Sequence, residues 1–294
     1  MAFYEKNDKG IGKFARFALF LFFQRRFIKY IRIKYFNVVM PNESVKLLNA
    51  RIDNLTTQEL LERLDKGVLV TPNVDDIMKH QRDEEFHRMA DQAEISVCDS
   101  RVVMLAAKLR GLPLKETIPG SSFFPQYCDY HAKNEKIKIF LLGAKEGVGL
   151  KAMDRINARI GRKIVVGAYS PPFGFEKNDA ECEKILEILK ASGANVVLVG
   201  LGNPKQTKWI YKYKDRLPSI DVFMALGATI DFEAGNVKRA PVFFQKLALE
   251  WLYRLIQEPK RLWHRYIIED MPFFFLLLKQ MLGLYHDPWE KTES

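Results

Sequence analysis

Apolar and polar positions alternate on two scales along the middle of this chain. Six short stretches are almost wholly apolar: Val68–Thr71, Ile95–Cys98, Ile137–Leu142, Ile164–Ala168, Val196–Val199 and Val222–Leu226. Runs of this length, rich in β-branched residues and bounded by turn formers, predict strands buried on both faces. Between them, apolar residues recur at helical spacing over Asp75–Ala90, Ser100–Leu109, Ser121–Lys133, Lys145–Ile160, Asp179–Lys190 and Lys205–Arg216. Strand–helix alternation of this kind predicts an α/β fold, a Rossmann-like and mostly parallel sheet with helices on both faces. Past about Gly235 the alternation gives way to a basic, helical tail. Three segments are expected: a basic amphipathic stretch over 1–45, the α/β core over 46–235 and a helical C-terminal appendage over 236–294.

A parallel sheet binds its ligands beyond the C-terminal ends of its strands, so candidate chemistry is sought there. The first strand runs into Thr71-Pro72-Asn73. Thr71 and Asn73 can offer hydrogen bonds to a polar ligand such as a sugar, but Asn73 also stands where a helix N-cap is expected. The second strand ends at Asp99, which reads equally as a cap or as a general base whose pKa burial would raise. Gly143 opens the turn LLGAKEGVG after the third strand, and Gly200-Leu201-Gly202-Asn203-Pro204-Lys205-Gln206 follows the fifth. Glycines at strand–helix turns let a phosphate approach backbone amides, although neither turn matches a dinucleotide or P-loop fingerprint. The segment GATIDFEAGNVKRAP (Gly227–Pro241) then places Asp231, Gly235 and Arg239 in one short turn region. No HExxH or grouped histidine set predicts a metal site, and no G-x-S-x-G elbow predicts a serine hydrolase.

Composition narrows the class. The chain has 294 residues, 48% hydrophobic and 28% charged, which excludes a disordered or collagen-like chain. Its three cysteines, Cys98, Cys128 and Cys182, lie far apart and predict neither a disulfide framework nor a thiolate zinc site. The net charge is +10, of which residues 1–35 supply +7 through nine basic and two acidic side chains. There, FARFALFLFFQRRFIKYIRIKYF (Phe14–Phe36) mixes basic and large apolar residues. Arg16 and Arg25 bound its longest uncharged piece, far short of the ~20 residues a spanning helix needs. Such a segment suits the headgroup layer of an anionic membrane, or packs as an amphipathic helix on protein. The other end repeats the theme, with Trp251, Arg254, Arg261, Trp263, Arg265 and Tyr266 followed by the apolar MPFFFLLLKQMLGLY. Two apolar, basic ends predict two membrane contacts, or surfaces that pack on each other in a homo-oligomer. Nucleic acid is not an expected partner, because no zinc-finger or RNP-type motif accompanies the basic segment.

TPN with its helix, the Asp after the second strand, the LLG turn, YSPPFGF, GLGNPKQ, GATIDFEAGNVKRAP and LEWLYRLIQEPKRLWHRY occur in this order. Together, over about Val68–Tyr266, they resemble the WecG/TagA/CpsF glycosyltransferases. The resemblance implies a bacterial enzyme that moves a sugar from a UDP-sugar, with inversion, onto a sugar carried by polyprenyl diphosphate in surface-polysaccharide synthesis. It implies no essential metal or other cofactor, and work at the cytoplasmic face of the inner membrane as a peripheral protein. Asp99 would be the catalytic base, while Thr71 and Asn73 would hold the acceptor sugar. Gln206 would lie near the reacting centre. Arg254 and Arg261 would close over the pyrophosphate, with His264 or Arg265 as a third basic group. Gly143, Gly200, Gly202, Asp231 and Arg239 complete the expected donor side. The chain departs from the family pattern at Ser100, Thr207 and Ala248. N-acetylmannosamine, its uronic acid, glucose and glucuronic acid all fit as the transferred sugar.

Two other readings compete. A Rossmann-type nucleotide-sugar dehydrogenase or epimerase would need a GxGxxG turn and an acidic ribose partner, and neither is evident. A non-catalytic, nucleotide-binding membrane scaffold would use the same core without turnover.

Overall fold

The computed structural model describes residues 43–237, 240–241, 243–244 and 247–290. The basic N-terminal stretch as far as Asn42, and Arg239, lie outside the described residues. Residues from Glu43 onward form one compact unit.

Six parallel strands carry the fold: β3 (Gly67–Val70), β4 (Ile95–Ser96), β5 (Ile139–Gly143), β6 (Val165–Tyr169), β7 (Val196–Gly200) and β8 (Val222–Ala225). Their spatial order is β4-β3-β8-β7-β5-β6. Successive side chains leave a strand on opposite faces, so each central strand feeds two cores. Leu69, Leu141, Leu198 and Met224 join one cluster with Phe123, Phe124, Tyr127 and Ile156. Those partners come from α5 (Gly120–Tyr130) and α6 (Val148–Ile160). Val68, Phe140, Leu142, Val197, Val199 and Phe223 face the other way, onto Ile185, Leu189, Trp209 and Ile210. Those belong to α7 (Asp179–Ser192) and α8 (Lys205–Tyr213). The expected α/β class and the two-faced cover are both present.

Two features differ from the sequence expectation. A two-stranded antiparallel hairpin, β1 (Ser44–Leu47) and β2 (Ala50–Asp53), precedes the sheet. It turns at Leu48, whose φ is 54°, and is followed by α1 (Thr57–Arg63), which is closed by a Thr56–Glu59 capping box. The single helix expected over Asp75–Ala90 is two, α2 (Val74–His80) and α3 (Glu84–Asp91). The break has a local cause: the Asp83 side chain accepts the Phe86 N–H and starts a fresh helix. The remaining core helices are α4 (Arg101–Leu109) and α9 (Thr229–Glu233).

The tail folds back on the core as α10 (Glu250–Gln257), α11 (Pro259–Trp263), a π-helical turn over His264–Glu269, and α12 (Pro272–Met281). Phe273 and Leu277 of α12 are buried with Leu47, Ile52, Ile77 and Met78 of the hairpin and α2. Polar bonds follow the same path. Gln280 exchanges bonds with the Leu48 N–H (2.9 Å) and carbonyl (3.3 Å), and Tyr285 donates to Gln81 (2.8 Å). Trp289 Nε1 donates to the His80 carbonyl at 2.6 Å.

Gly143 and Gly200 end the neighbouring strands β5 and β7 face to face. A Cβ on Gly143, whose φ is +122°, would sit 2.5 Å from the Gly200 carbonyl oxygen. Gly202 also has a positive φ, +76°, but a Cβ there would meet nothing within 4 Å. Gly143→Ala is expected to lower unfolding stability by more than about 2 kcal/mol, since strain and a backbone clash combine. Gly202→Ala, with strain alone, is expected to cost about 1 kcal/mol. Urea unfolding followed by circular dichroism measures both.

Candidate active site

Hydrogen bonds join the loops that leave the C-terminal ends of β3, β4, β7 and β8, and the candidate residues lie on those loops. Asp99 follows β4, and two backbone bonds fix it. Its N–H donates to the Pro72 carbonyl (3.3 Å), and its Oδ1 accepts the Gly120 N–H (3.2 Å). The capping role open to Asp99 falls instead to Ser100, whose hydroxyl accepts the Val103 N–H at 3.2 Å. The Asp99 carboxyl does not cap its own helix α4; its Oδ1 instead meets the first N–H of α5, and its Oδ2 has no hydrogen-bond partner among the described residues. Burial pushes its pKa up to about 7, with the negative charge of Asp76 adding to the rise. The Gly120 N–H and the Arg254 guanidinium pull the other way, and Glu250 pushes upward. Asp99 is therefore a carboxyl that can both hold and release a proton near neutrality.

Asn73 does cap α2. Its side chain accepts the Asp76 N–H, while the Asp76 carboxylate accepts the Asn73 N–H. Asp76 is itself buried and accepts from Asn203 Nδ2 at 2.9 Å; Asn203 Oδ1 takes the Thr207 hydroxyl at 2.7 Å. The loops after β3 and β7 are thereby locked together. Burial, and then Asp75, hold the Asp76 carboxyl above its ordinary range. Thr71 lies half-buried between β3 and this cap.

Gln206 is buried, and both ends of its amide are used by backbone. Oε1 accepts the Gly202 N–H (3.0 Å) and Nε2 donates to the Ala225 carbonyl (2.9 Å). It ties the β7 turn to the end of β8. On the same side the Ser170 hydroxyl bonds the Gly143 and Lys145 carbonyls, fastening the loop after β6 to the β5 turn. Asp231, on α9, is half-buried; burial raises its pKa while Arg261 and Lys145 draw it back.

Three arginines of the tail stand in different states. Arg254 Nε is buried without a hydrogen-bond partner among the described residues. Arg261 is exposed and forks onto Glu258, at 2.6 and 2.9 Å. Arg265 Nη2 lies 3.0 Å from Asp75 and 3.5 Å from Asn73 Oδ1, on the side of α2. His264, the other occupant considered for the third basic position, faces Glu269 at 3.2 Å. Asp270 closes the cluster: it is buried, its Oδ1 has no partner among the described residues, and its pKa rises to about 7 through burial and the charge of Asp75.

Sequence reasoning missed Asp75, Asp76, Asn203, Glu250 and Asp270. The adjacent acids two and three residues after Asn73 were the available signal, although acids in a first helical turn are also common for the helix dipole alone. Among the described residues, no three His, Cys, Asp or Glu side chains gather as a metal site.

A near-neutral carboxyl that feels the charge of Arg254 suits proton removal from a hydroxyl beside a developing phosphate anion. The family model "Glycosyl transferase WecG/TagA/CpsF family" matches residues 45–287. A Bacillus spizizenii protein named N-acetylglucosaminyldiphosphoundecaprenol N-acetyl-beta-D-mannosaminyltransferase is 32% identical over 197 residues, covering 67% of this chain and 73% of its own. A Staphylococcus aureus (strain MRSA252) protein of the same name is 27% identical over 243 residues, covering 78% and 90%. The chain belongs to the WecG/TagA/CpsF family and is a glycosyltransferase. The dehydrogenase, epimerase and scaffold readings fall away.

The raised pKa of Asp99 has a consequence for stability. Between about pH 4 and pH 7 the native state keeps a proton that the unfolded chain has released, so this group lowers stability as pH rises through that window. Asp99→Asn removes the penalty. The variant is expected to melt above the parent chain at pH 8, with the gap narrowing at pH 5, in paired thermal melts.

Proposed function

We propose that this enzyme moves a sugar from a UDP-sugar to a polyprenyl-diphosphate-linked sugar, with inversion, in the synthesis of a bacterial surface polysaccharide. The observation that carries the reading is Asp99, a carboxyl fixed at a strand end by one oxygen on the first N–H of α5, with its pKa pushed up to about 7 by burial. Its carboxylate takes the proton of the acceptor hydroxyl as that oxygen bonds the anomeric carbon. The bond from that carbon to the UDP oxygen breaks on the opposite face, and UDP leaves with the electron pair. A single displacement needs one base and inverts the centre. Arg254 and Arg261, with Arg239 and the glycine turns at Gly143, Gly200 and Gly202, are assigned to the leaving diphosphate, and Asp231 to the same donor side. Gln206 supports the reacting centre by setting the β7 turn. Thr71 and Asn73 face the acceptor sugar. The two relatives named above point to N-acetylmannosamine and N-acetylglucosaminyldiphosphoundecaprenol as the first pair to assay.

A lipid-borne acceptor requires the enzyme to reach a bilayer. Among the described residues, no helix is long and apolar enough to cross one. The tail instead exposes a run of apolar side chains: Phe274, Phe275, Leu278 and Leu282 are each more than half exposed, although Phe273 and Leu277 on the same helix are buried. Trp263 and Ile268, earlier in the tail, are also more than half exposed. We assign this face to an anionic membrane surface, at the cytoplasmic side of the inner membrane, with the basic stretch before residue 43 as a second contact.

Two measurements test the proposal. With UDP-N-acetylmannosamine and the undecaprenyl acceptor, transfer is expected to rise with pH as Asp99 ionises and to level off above about pH 7; Asp99→Asn is expected to lower the rate about 10²–10⁴-fold. Unchanged turnover in the variant removes Asp99 from the reaction. In flotation with anionic liposomes, the triple variant Phe274→Glu, Phe275→Glu, Leu278→Glu is expected to stay largely in the unbound fraction, and equal flotation rejects this face as the contact.

A further inference from the structure

The oxygen and nitrogen of the Asn73 amide are not equally available. Its Oδ1 accepts the Asp76 N–H at 3.3 Å and faces Arg265 Nη2 at 3.5 Å. Both neighbours are donors and neither can accept, so turning the amide over would break one bond and leave Nδ2 against two N–H groups. Nδ2 is therefore the atom left for a ligand, and it has no protein partner among the described residues.

Arg265 does not hold this position unaided. Its Nη2 is 3.0 Å from Asp75 Oδ2, and the same carboxylate oxygen takes Lys79 Nζ at 2.5 Å, four residues along α2. Asp75 is 5% exposed, while the Arg265 side chain keeps 33% of its surface open, so screening of the pair is reduced on the carboxylate side. The backbone supports the arrangement, since the Asp270 N–H donates to the Arg265 carbonyl (2.9 Å) and Arg82 donates to the Glu269 carbonyl (2.7 Å). The arginine expected over the donor pyrophosphate is thus engaged on the side of α2, with the residue assigned to the acceptor.

We propose that Asp75, acting through Arg265, is a positioning residue that fixes the Asn73 side chain as a hydrogen-bond donor toward the acceptor sugar. This rests on the acceptor role given to Asn73 above. The acceptor atom opposite Nδ2 must carry a lone pair, as a hydroxyl oxygen or an N-acetyl carbonyl does. Acceptor recognition and docking of the tail then share one ion pair.

The test uses the full chain, UDP-N-acetylmannosamine and N-acetylglucosaminyldiphosphoundecaprenol. Asn73→Asp keeps an oxygen for the helix cap and for Arg265, removes the donor and adds a negative charge beside Asp75 and Asp76, so it is read together with the Asp75 variants, which add none; aspartate caps a helix as well as asparagine. It is expected to raise the acceptor KM about tenfold while the donor KM stays within about twofold. Asp75→Asn is expected to raise the acceptor KM about fivefold, and Asp75→Glu to recover most of that loss. Combined with Asn73→Asp, Asp75→Asn is expected to add less than about twofold, because its effect passes through the amide already removed. Melting temperatures accompany each variant, and if Asp75→Asn does not fold, Asn73→Asp and Asp75→Glu decide. An unchanged acceptor KM in Asn73→Asp, a parallel rise in both KM values, or multiplicative effects in the double variant overturns the inference while the transferase reading stands. If the parent chain transfers no sugar to this acceptor from any UDP-sugar offered, the acceptor reading fails and the inference with it.

Discussion

Asp75, Asp76, Asp99 and Asp270 crowd together above the ends of β3 and β4, where little water is left to screen them. Like charges in such a place are unfavourable unless cations or protons intervene. Lys79 and Arg265 compensate Asp75 directly, while Asp99 and Asp270 respond by holding their protons to near neutrality. The rest of the site follows from this arrangement. α2 must deliver its acids to the crevice, and the tail must deliver a guanidinium to meet them. A carboxyl poised between its two protonation states is the by-product, and it is what a base for hydroxyl deprotonation requires.

The surrounding framework is built of groups that look functional and are also structural. Gln206 spends its amide on two backbone groups, which sets the turn after β7 against the end of β8. Gly143 and Gly200 let two strands end closer than any side chain would permit. Asn73 caps a helix and leaves one nitrogen for other use. In each case the bland role positions the residue, and any chemical role is added on the face left over.

Much of this was legible in the chain. Continuous apolar runs marked the parallel strands because both faces of that sheet are covered, and the strand-end rule led to Thr71, Asn73 and Asp99. What was illegible depended on distant contacts. The β1–β2 hairpin is four residues per strand, and its buried side chains find their partners some 230 residues away in α12. The break between α2 and α3 turned on one aspartate acting as a cap within a helical pattern. Asp75 and Asp270 gain their meaning only from each other and from Arg265, a meeting that no local spacing announces.

The fastening of the extreme C-terminal stretch to the hairpin and α2 bears on how the arginine-bearing span can move. Tyr285 and Trp289 grip Gln81 and His80, at the far end of the same short helix that begins with Asn73. A flap hinged at one edge would swing clear of the crevice. This span is moored at its distal end, so any displacement of its far footing is shared with the helix that Asn73 caps.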